Sequence, residues 1–261
     1  MTDSECSRQI FMCEDDFAAM MTAVYDAWKW SGGKKHGLVR LELPCECNYE
    51  LFANYVTVEA DEEKCNKVVR SIRNTLSEEI FGEVFKASLS ERADKADAIY
   101  HFLVVAFRDG KRVLTEFGNP DVMRLFEIVR FVSNEAHFMR EFIRFAELEG
   151  NVLFARINPK NDIITLVAPH FADRMPSENW IIYDERRRRA VFHAGNAGWY
   201  VTDDSLIAER LSYAEQEKGY RDLWKIFFDT IAIKERINYR LQRQMMPLRY
   251  RENVVEFNKQ F

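Results

Sequence analysis

The apolar spacing of this chain changes character along its length, and that succession restricts the fold more than any single motif. Strand-like and helical patterns alternate over the first ninety residues. Arg8–Glu14 reads as a strand, and Asp15–Trp30 reads as a helix with Phe17, Met20, Met21, Val24, Tyr25 and Trp28 on one stripe. Ser31-Gly-Gly-Lys-Lys ends that helix, and Leu38–Leu43 and Tyr55–Glu59 read as strands. Asp61 is placed to cap a helix carrying Val68, Val69, Ile72 and Leu76. Ser77 opens another with Ile80, Phe81, Val84 and Phe85.

From about residue 90 the period becomes helical. Ser90 is placed to cap a helix reaching Arg108, which Asp109-Gly110 closes. Asn119-Pro120-Asp121 combines a capping side chain, Pro at the first helical position and an acid in the first turn, and predicts a helix to about Phe145. Asn151–Ile157, Ile163–Val167, Trp180–Tyr183, Ala190–His193 and Trp199–Thr202 then read as an antiparallel meander, with Ala168–Met175 a short helix inserted among them. Asp203 or Asp204 starts a helical region lasting to about Arg243, broken near Gly219 and halted by Pro247.

These patterns predict an α+β protein, helix-rich, with a small antiparallel sheet packed among helices. The expected division is a mixed α/β part over 1–89, packed intimately on a helical and antiparallel-strand domain over 90–261. Twenty Phe, ten Tyr and five Trp supply core material, while ten Gly and six Pro leave little for a flexible linker. No window reaches the roughly 18 apolar residues a membrane span needs. The acidic, polar start lacks the basic-then-apolar pattern of an export signal. With that start, five cysteines, an odd set, are expected to be reduced thiols in a cytoplasm. Cys45-x-Cys47 has no second Cys pair or nearby His to complete a tetrahedral set, so no metal site is expected. There is no Gly-rich phosphate loop, no Gly-x-Ser-x-Gly elbow and no radical-SAM Cys triplet, and no motif calls for a cofactor.

Charge is placed unevenly. Residues 1–100 hold 12 basic against 19 acidic side chains, whereas 231–251 hold six basic groups against Glu235 alone. A weakly acidic protein with one basic face can still bind nucleic acid, with an affinity that falls with salt. Asn238–Tyr250 interleaves Arg240, Arg243 and Arg249 with Gln242, Gln244 and Tyr250. Guanidinium forks and side-chain amides suit phosphates and base edges. Arg236, Arg240 and Arg243 fall on one helix face at i, i+4, i+7. The bland alternative is an Arg-rich helix end that complements the helix dipole and pairs with acids.

Other stretches carry chemistry. In Glu135–Arg144, Glu141 lies four after His137 and Arg144 four after Arg140, so both pairs are helix neighbours. A carboxylate beside an imidazole can orient a general base, although ion pairs on a solvated face explain the spacing more simply. Pro169-His170-Phe171 ends a strand-like run and can present an imidazole, with Arg174 following; a structural histidine is the competing reading. Asp184 precedes four consecutive arginines, among them Arg187, in a hairpin connection that grips phosphates or is merely solvated.

Several stretches together resemble an uncharacterised bacterial family labelled as DNA metabolism or DNA repair proteins. They are His101-Phe-Leu with Phe107-Arg-Asp-Gly, Gly118-Asn-Pro-Asp-Val, Glu135-Ala-His-x-Met-Arg-x-Phe-x-Arg-Phe145, Val167-Ala-Pro-His-Phe171, Trp180-x-Ile-Tyr-Asp184 with Arg187, and Asn238-x-Arg-Leu-Gln-Arg-Gln-x-Met-Pro-x-Arg-Tyr250. The match runs from about Ala98 to Phe257. The chain departs at Tyr239, Met245 and Arg251, where relatives often carry Pro, His and Trp. The resemblance implies a DNA repair context, because the family's gene often lies beside one for a radical-SAM protein and its domain is sometimes fused to a uracil-DNA-glycosylase-type domain. The expectation is a DNA-binding accessory of a radical-SAM partner, in which Arg140, Arg144, Arg174, Arg187, Arg236, Arg240, Gln242, Arg243, Gln244, Arg249 and Tyr250 contact DNA. A nucleic-acid-processing enzyme using His137 or His170 with Glu135 or Glu141, and a protein-interaction adaptor, remain the alternatives. No membrane partner is expected.

Overall fold

A computed structural model describes residues 7–44, 49–203, 239–251 and 254, apart from the side chain of Leu241. Residues 1–133 and 134–261 form two compact units, the boundary falling within one long helix.

The first unit is built on a three-stranded sheet, β1 (Gln9–Cys13), β2 (Val39–Glu42) and β3 (Asn54–Val58), in the order β2-β1-β3. Both pairings are parallel, with Gln9 opposite Val39 on one side and Asn54 on the other. A parallel neighbour cannot be reached by a tight turn. Helix α1 (Phe17–Ser31) supplies the first crossover. It starts at Asp16, whose carboxylate accepts from the backbone N–H groups of Ala18 and Ala19, and ends at Gly32 in the left-handed region. Helices α2 (Glu62–Ser71), α3 (Glu78–Ser88) and α4 (Lys95–Asp109) follow, with a π turn over Ile72–Leu76 between α2 and α3. The expected caps of α2 and α3 are present, as Asp61 accepts from Glu63 and Lys64 and Ser77 accepts from Ile80. The Ser90 expectation is corrected. Its hydroxyl accepts from Arg92 in a turn, and the helix begins five residues later, behind an Arg92–Asp94 fork. Helix α5 (Pro120–Phe142) starts as predicted, with the Asn119 side chain accepting from the Asp121 N–H.

The second unit carries β4 (Ala146–Leu148), β5 (Val152–Ile157), β6 (Asn179–Asp184), β7 (Arg189–Ala194) and β8 (Gly198–Thr202), which lie side by side in chain order. Three pairings are antiparallel, but β5 and β6 run parallel, with Val152 opposite Asn179. Helix α6 (Ile164–Arg174) is the crossover between them. The strand expected over Ile163–Val167 is therefore a helix, and the meander is interrupted. The physical reason lies in the spacing. Ile163, Ile164, Val167, Ala168 and Phe171 are all buried and recur at helical intervals, although β-branched residues dominate the run. The α+β class, rich in helix, holds; the sheets are a parallel one and a mixed one. Gly195 is required by a close approach, because a Cβ there would lie 2.2 Å from the Ser177 carbonyl oxygen. The short helix α7 (Tyr239–Met245) and a 3-10 turn at Leu248–Tyr250 complete the described elements.

Among the described residues, no helix is long and apolar enough to cross a membrane, and no group of three His, Cys, Asp or Glu is placed to hold a metal ion. Cys45 and Cys47 lie outside the described residues, as do Asp204 to Asn238.

Candidate nucleic-acid interface

The organising group of the second unit is Glu135, on the second half of α5 and only 2% exposed. Its carboxylate accepts from the backbone N–H of Lys160 at 3.1 Å and of Asn161 at 2.8 Å, and from the Asn161 side-chain amide at 2.6 Å. Charge-assisted bonds of this kind are the strong ones. The Tyr250 hydroxyl donates to the same carboxylate at 3.4 Å, and an Arg249 guanidinium nitrogen lies 3.4 Å away. Glu135, Phe138 and Phe142 follow one another at i, i+3, i+7, so one face of α5 presents an acid above two aromatic rings. The Tyr250 ring lies 6.0 Å from Phe138 and 5.9 Å from Phe142, measured between centroids. Burial raises the Tyr250 phenol above its ordinary range, the Glu135 charge raises it further, and Arg249 opposes both. The phenol therefore stays protonated and serves as a donor.

The turn held by Glu135 is gripped from its other side by the arginine run. Arg187 donates to the Pro159 carbonyl at 3.3 Å, to the Lys160 carbonyl and to the buried Asp184 carboxylate, and Arg186 donates to the Lys160 carbonyl at 3.4 Å. Asp184 also accepts from the backbone N–H groups of Arg186 and Arg187, closing the β6–β7 turn. Burial raises the Asp184 carboxyl, and Arg187 offsets that shift only in part. Arg189 is paired at 2.7 Å with both Asp162 and Asp203. Arg188, exposed at a φ of 53°, has no side-chain hydrogen bond or ion pair among the described residues.

On another face of α5, the His137 imidazole lies 3.2 Å from Glu141, with the two side chains 67% and 50% exposed. Arg140 donates to the Leu166 carbonyl of α6 at 2.7 Å. That carbonyl sits beside a weakened turn, because Pro169, inside α6, has no N–H to offer Thr165. Arg144 donates to the Glu141 carbonyl at 2.9 Å and to that of Ile143, at the end of α5. His170 lies within α6 and not at the end of a strand, with its ring edge-on to Phe171 at 5.1 Å. Among the described residues, no contact joins His137 to His170. The sequence-derived candidates therefore divide. Glu135, Arg187, Arg249 and Tyr250 meet around one turn, whereas His137, Glu141, His170 and Arg174 do not join them.

The segment leading into this anchor presents its polar groups outward. Arg240, Arg243 and Gln244 on α7 are exposed and Gln242 is half-buried. Among the described residues, none of these four side chains makes a hydrogen bond or ion pair, and the same is true of Arg174 at the end of α6. Arg236 lies outside the described residues. Sequence reasoning missed Asn161, whose only signal was the turn chemistry of Asn158-Pro159-Lys160-Asn161, and Phe138 and Phe142, whose signal was their helical spacing to Glu135. It also missed Arg188, which four consecutive arginines gave no means of separating from Arg187.

What the geometry offers chemically is a set of forked cations and amides, unpaired among the described residues, on a short helix, with the chain after it fixed to a buried carboxylate. No curated protein matches the chain. Residues 93–256 match the model of a family described as a domain of unknown function, DUF4130. The match covers well over half of the chain and contains Glu135, the Lys160–Asn161 turn, Arg187 and Tyr250, and the protein belongs to the DUF4130 family.

Proposed function

We propose that the protein binds DNA through α7 and acts in DNA repair or metabolism as an accessory of a radical-SAM partner, in the cytoplasm. The observation that carries the DNA reading is the exposed pair Arg240 and Arg243, unpaired among the described residues and flanked by Gln242 and Gln244, on a segment that ends at the Glu135 anchor. Unpaired surface guanidinium groups are free to displace counterions from phosphates, and fixing the segment lowers the entropy lost on binding. Repair and the radical-SAM partner rest on the sequence resemblance alone. Anisotropy titrations on single-stranded, duplex and mismatched oligonucleotides test the reading. The Arg240→Ala/Arg243→Ala variant should bind more weakly, with the slope of log affinity against log salt reduced by about 1.8 on duplex, roughly 0.9 per lost phosphate contact. Wild-type protein with no affinity for any of these DNAs refutes the proposal.

A second reading, nucleic-acid processing with His137 as base, is favoured by the His137–Glu141 contact at 3.2 Å. It requires that wild-type protein convert a DNA or RNA substrate and that His137→Ala abolish conversion while leaving binding intact. Conversion undiminished in His137→Ala excludes it.

A further inference from the structure

The first unit has a groove of about 560 Å³ between α1, α2 and α4, within the size range of small-molecule sites. Tyr25 and Trp28 of α1, Val68 of α2 and Phe107 of α4 form its apolar walls. The Trp28 indole is held by edge contacts on three sides, to Phe107 at 5.2 Å, Tyr100 at 6.2 Å and His36 at 4.8 Å. His36 is itself fixed by a 2.8 Å hydrogen bond to the buried Tyr100 hydroxyl. The ring that a ligand would meet is therefore preorganised. Among the described residues, the charged groups that line the groove are Lys29 and Lys67, and none is a carboxylate. Lys67 shares its charge with Glu63 at 2.6 Å, while Lys29 has no ion-pair partner among the described residues. At Ser71, which also lines the groove, α2 passes into the π turn, with the Ile72 N–H directed to the carbonyls of Val68 and Val69. Such widened turns occur frequently at functional sites.

We propose that this groove binds a small aromatic anion, its ring system lying against Trp28 and Phe107 and its carboxylate or phosphate meeting Lys29 and Lys67. An apolar body is required by the walls, and the sign of the charge by the lysine rim. Aromatic faces alone would also attract a cation, but the two lysines disfavour one. The site lies in the first unit and is independent of the DNA-binding proposal.

Calorimetric titration of the full chain with 2-naphthoate, its uncharged alcohol analogue 2-naphthalenemethanol and its cationic analogue 2-naphthylmethylamine tests this. The anion should bind with a submillimolar Kd and about tenfold more tightly than the cation. Ser71→Trp, at an exposed position on the rim, should fill the groove and weaken 2-naphthoate by at least about tenfold. Lys29→Glu should remove most of the preference for the anion while leaving the alcohol unchanged. Absence of 2-naphthoate binding at millimolar concentration overturns the proposal. So does equal affinity for anion and cation, or affinity for 2-naphthoate unaffected by both substitutions.

Discussion

Replacing Glu135 with Ala probes the anchor on which the second unit depends. The substitution removes the carboxylate that accepts from the Asn161 N–H and side-chain amide, both on a residue 6% exposed, and from the Lys160 N–H. A buried donor left unsatisfied costs about 1–3 kcal/mol. Lys160 is exposed, so its N–H can be rehydrated and adds little. Water entering the space left by the side chain would recover part of the loss at Asn161. The balance is a cost of about 3 kcal/mol, within a range of roughly 2–5. Glu135→Gln keeps the shape and one acceptor oxygen but turns an NH2 group towards a donor, and should cost about 1–2 kcal/mol.

With two compact units, a single global unfolding free energy is poorly defined, so a local measurement is the appropriate one. Amide hydrogen exchange by NMR reads it directly. About 3 kcal/mol corresponds to a rise of roughly 100-fold in exchange at Asn161 and at Tyr250, whose N–H is bonded to the Pro247 carbonyl. The amides of α4, in the first unit, should keep their wild-type protection. Exchange at Asn161 and Tyr250 within about threefold of wild type would refute the anchoring role, since that corresponds to less than about 1 kcal/mol. A loss of protection equal in α4 would refute its locality.

In the first unit, the hydrogen bond to Asp97 raises the His101 imidazole above its ordinary value, against the effect of burial and with help from the Asp97 charge. The stabilisation from His101 is therefore complete below about pH 6.5 and is lost as pH rises through the folded-state value. Opening free energies from hydrogen exchange at the α4 amides should show a larger stability gap between wild type and His101→Gln at pH 5.5 than at pH 8.5. A gap independent of pH would exclude the ion pair as its source. Burial, with a smaller contribution from Asp15, pushes the Cys13 thiol up to about 12, and burial likewise raises Cys65. Iodoacetamide at pH 8 should leave both unmodified in the native protein and alkylate both in denaturant, as read by peptide mass spectrometry. Rapid native labelling of Cys13 would contradict its burial.

Three helix starts were legible because capping is local chemistry, whereas Ser90, whose hydroxyl accepts in a turn, misplaced a fourth. Asp61, Ser77 and Asn119 each bond a backbone N–H two or three residues ahead, and nothing distant is needed to predict it. Strand direction was not legible. Whether β1 pairs parallel or antiparallel depends on where α1 returns the chain, which no residue of β1 encodes. Ile163–Val167 failed for a different reason. A short apolar run satisfies both periods, and its extension through Ala168 and Phe171, across a proline that usually ends a helix, decided between them.

The arginines show the same limit at the level of side chains. Composition offered Arg187, Arg140 and Arg243 all as phosphate ligands, with the most weight on the C-terminal segment that holds Arg243, since each is a forked cation in a cation-rich stretch. Their partners separate them. Arg187 reaches two turn carbonyls and a buried Asp184. Arg140 reaches the Leu166 carbonyl. Arg243 reaches nothing among the described residues. A guanidinium already bonded to backbone carbonyls must give up those bonds before it can neutralise a phosphate, and the turn it held would lose a partner as well. An unpaired one gives up only water and counterions, whose release favours binding. Affinity for DNA should therefore reside in Arg240 and Arg243 and be nearly indifferent to the charge of Arg187, whose replacement would instead loosen the turn that Glu135 holds.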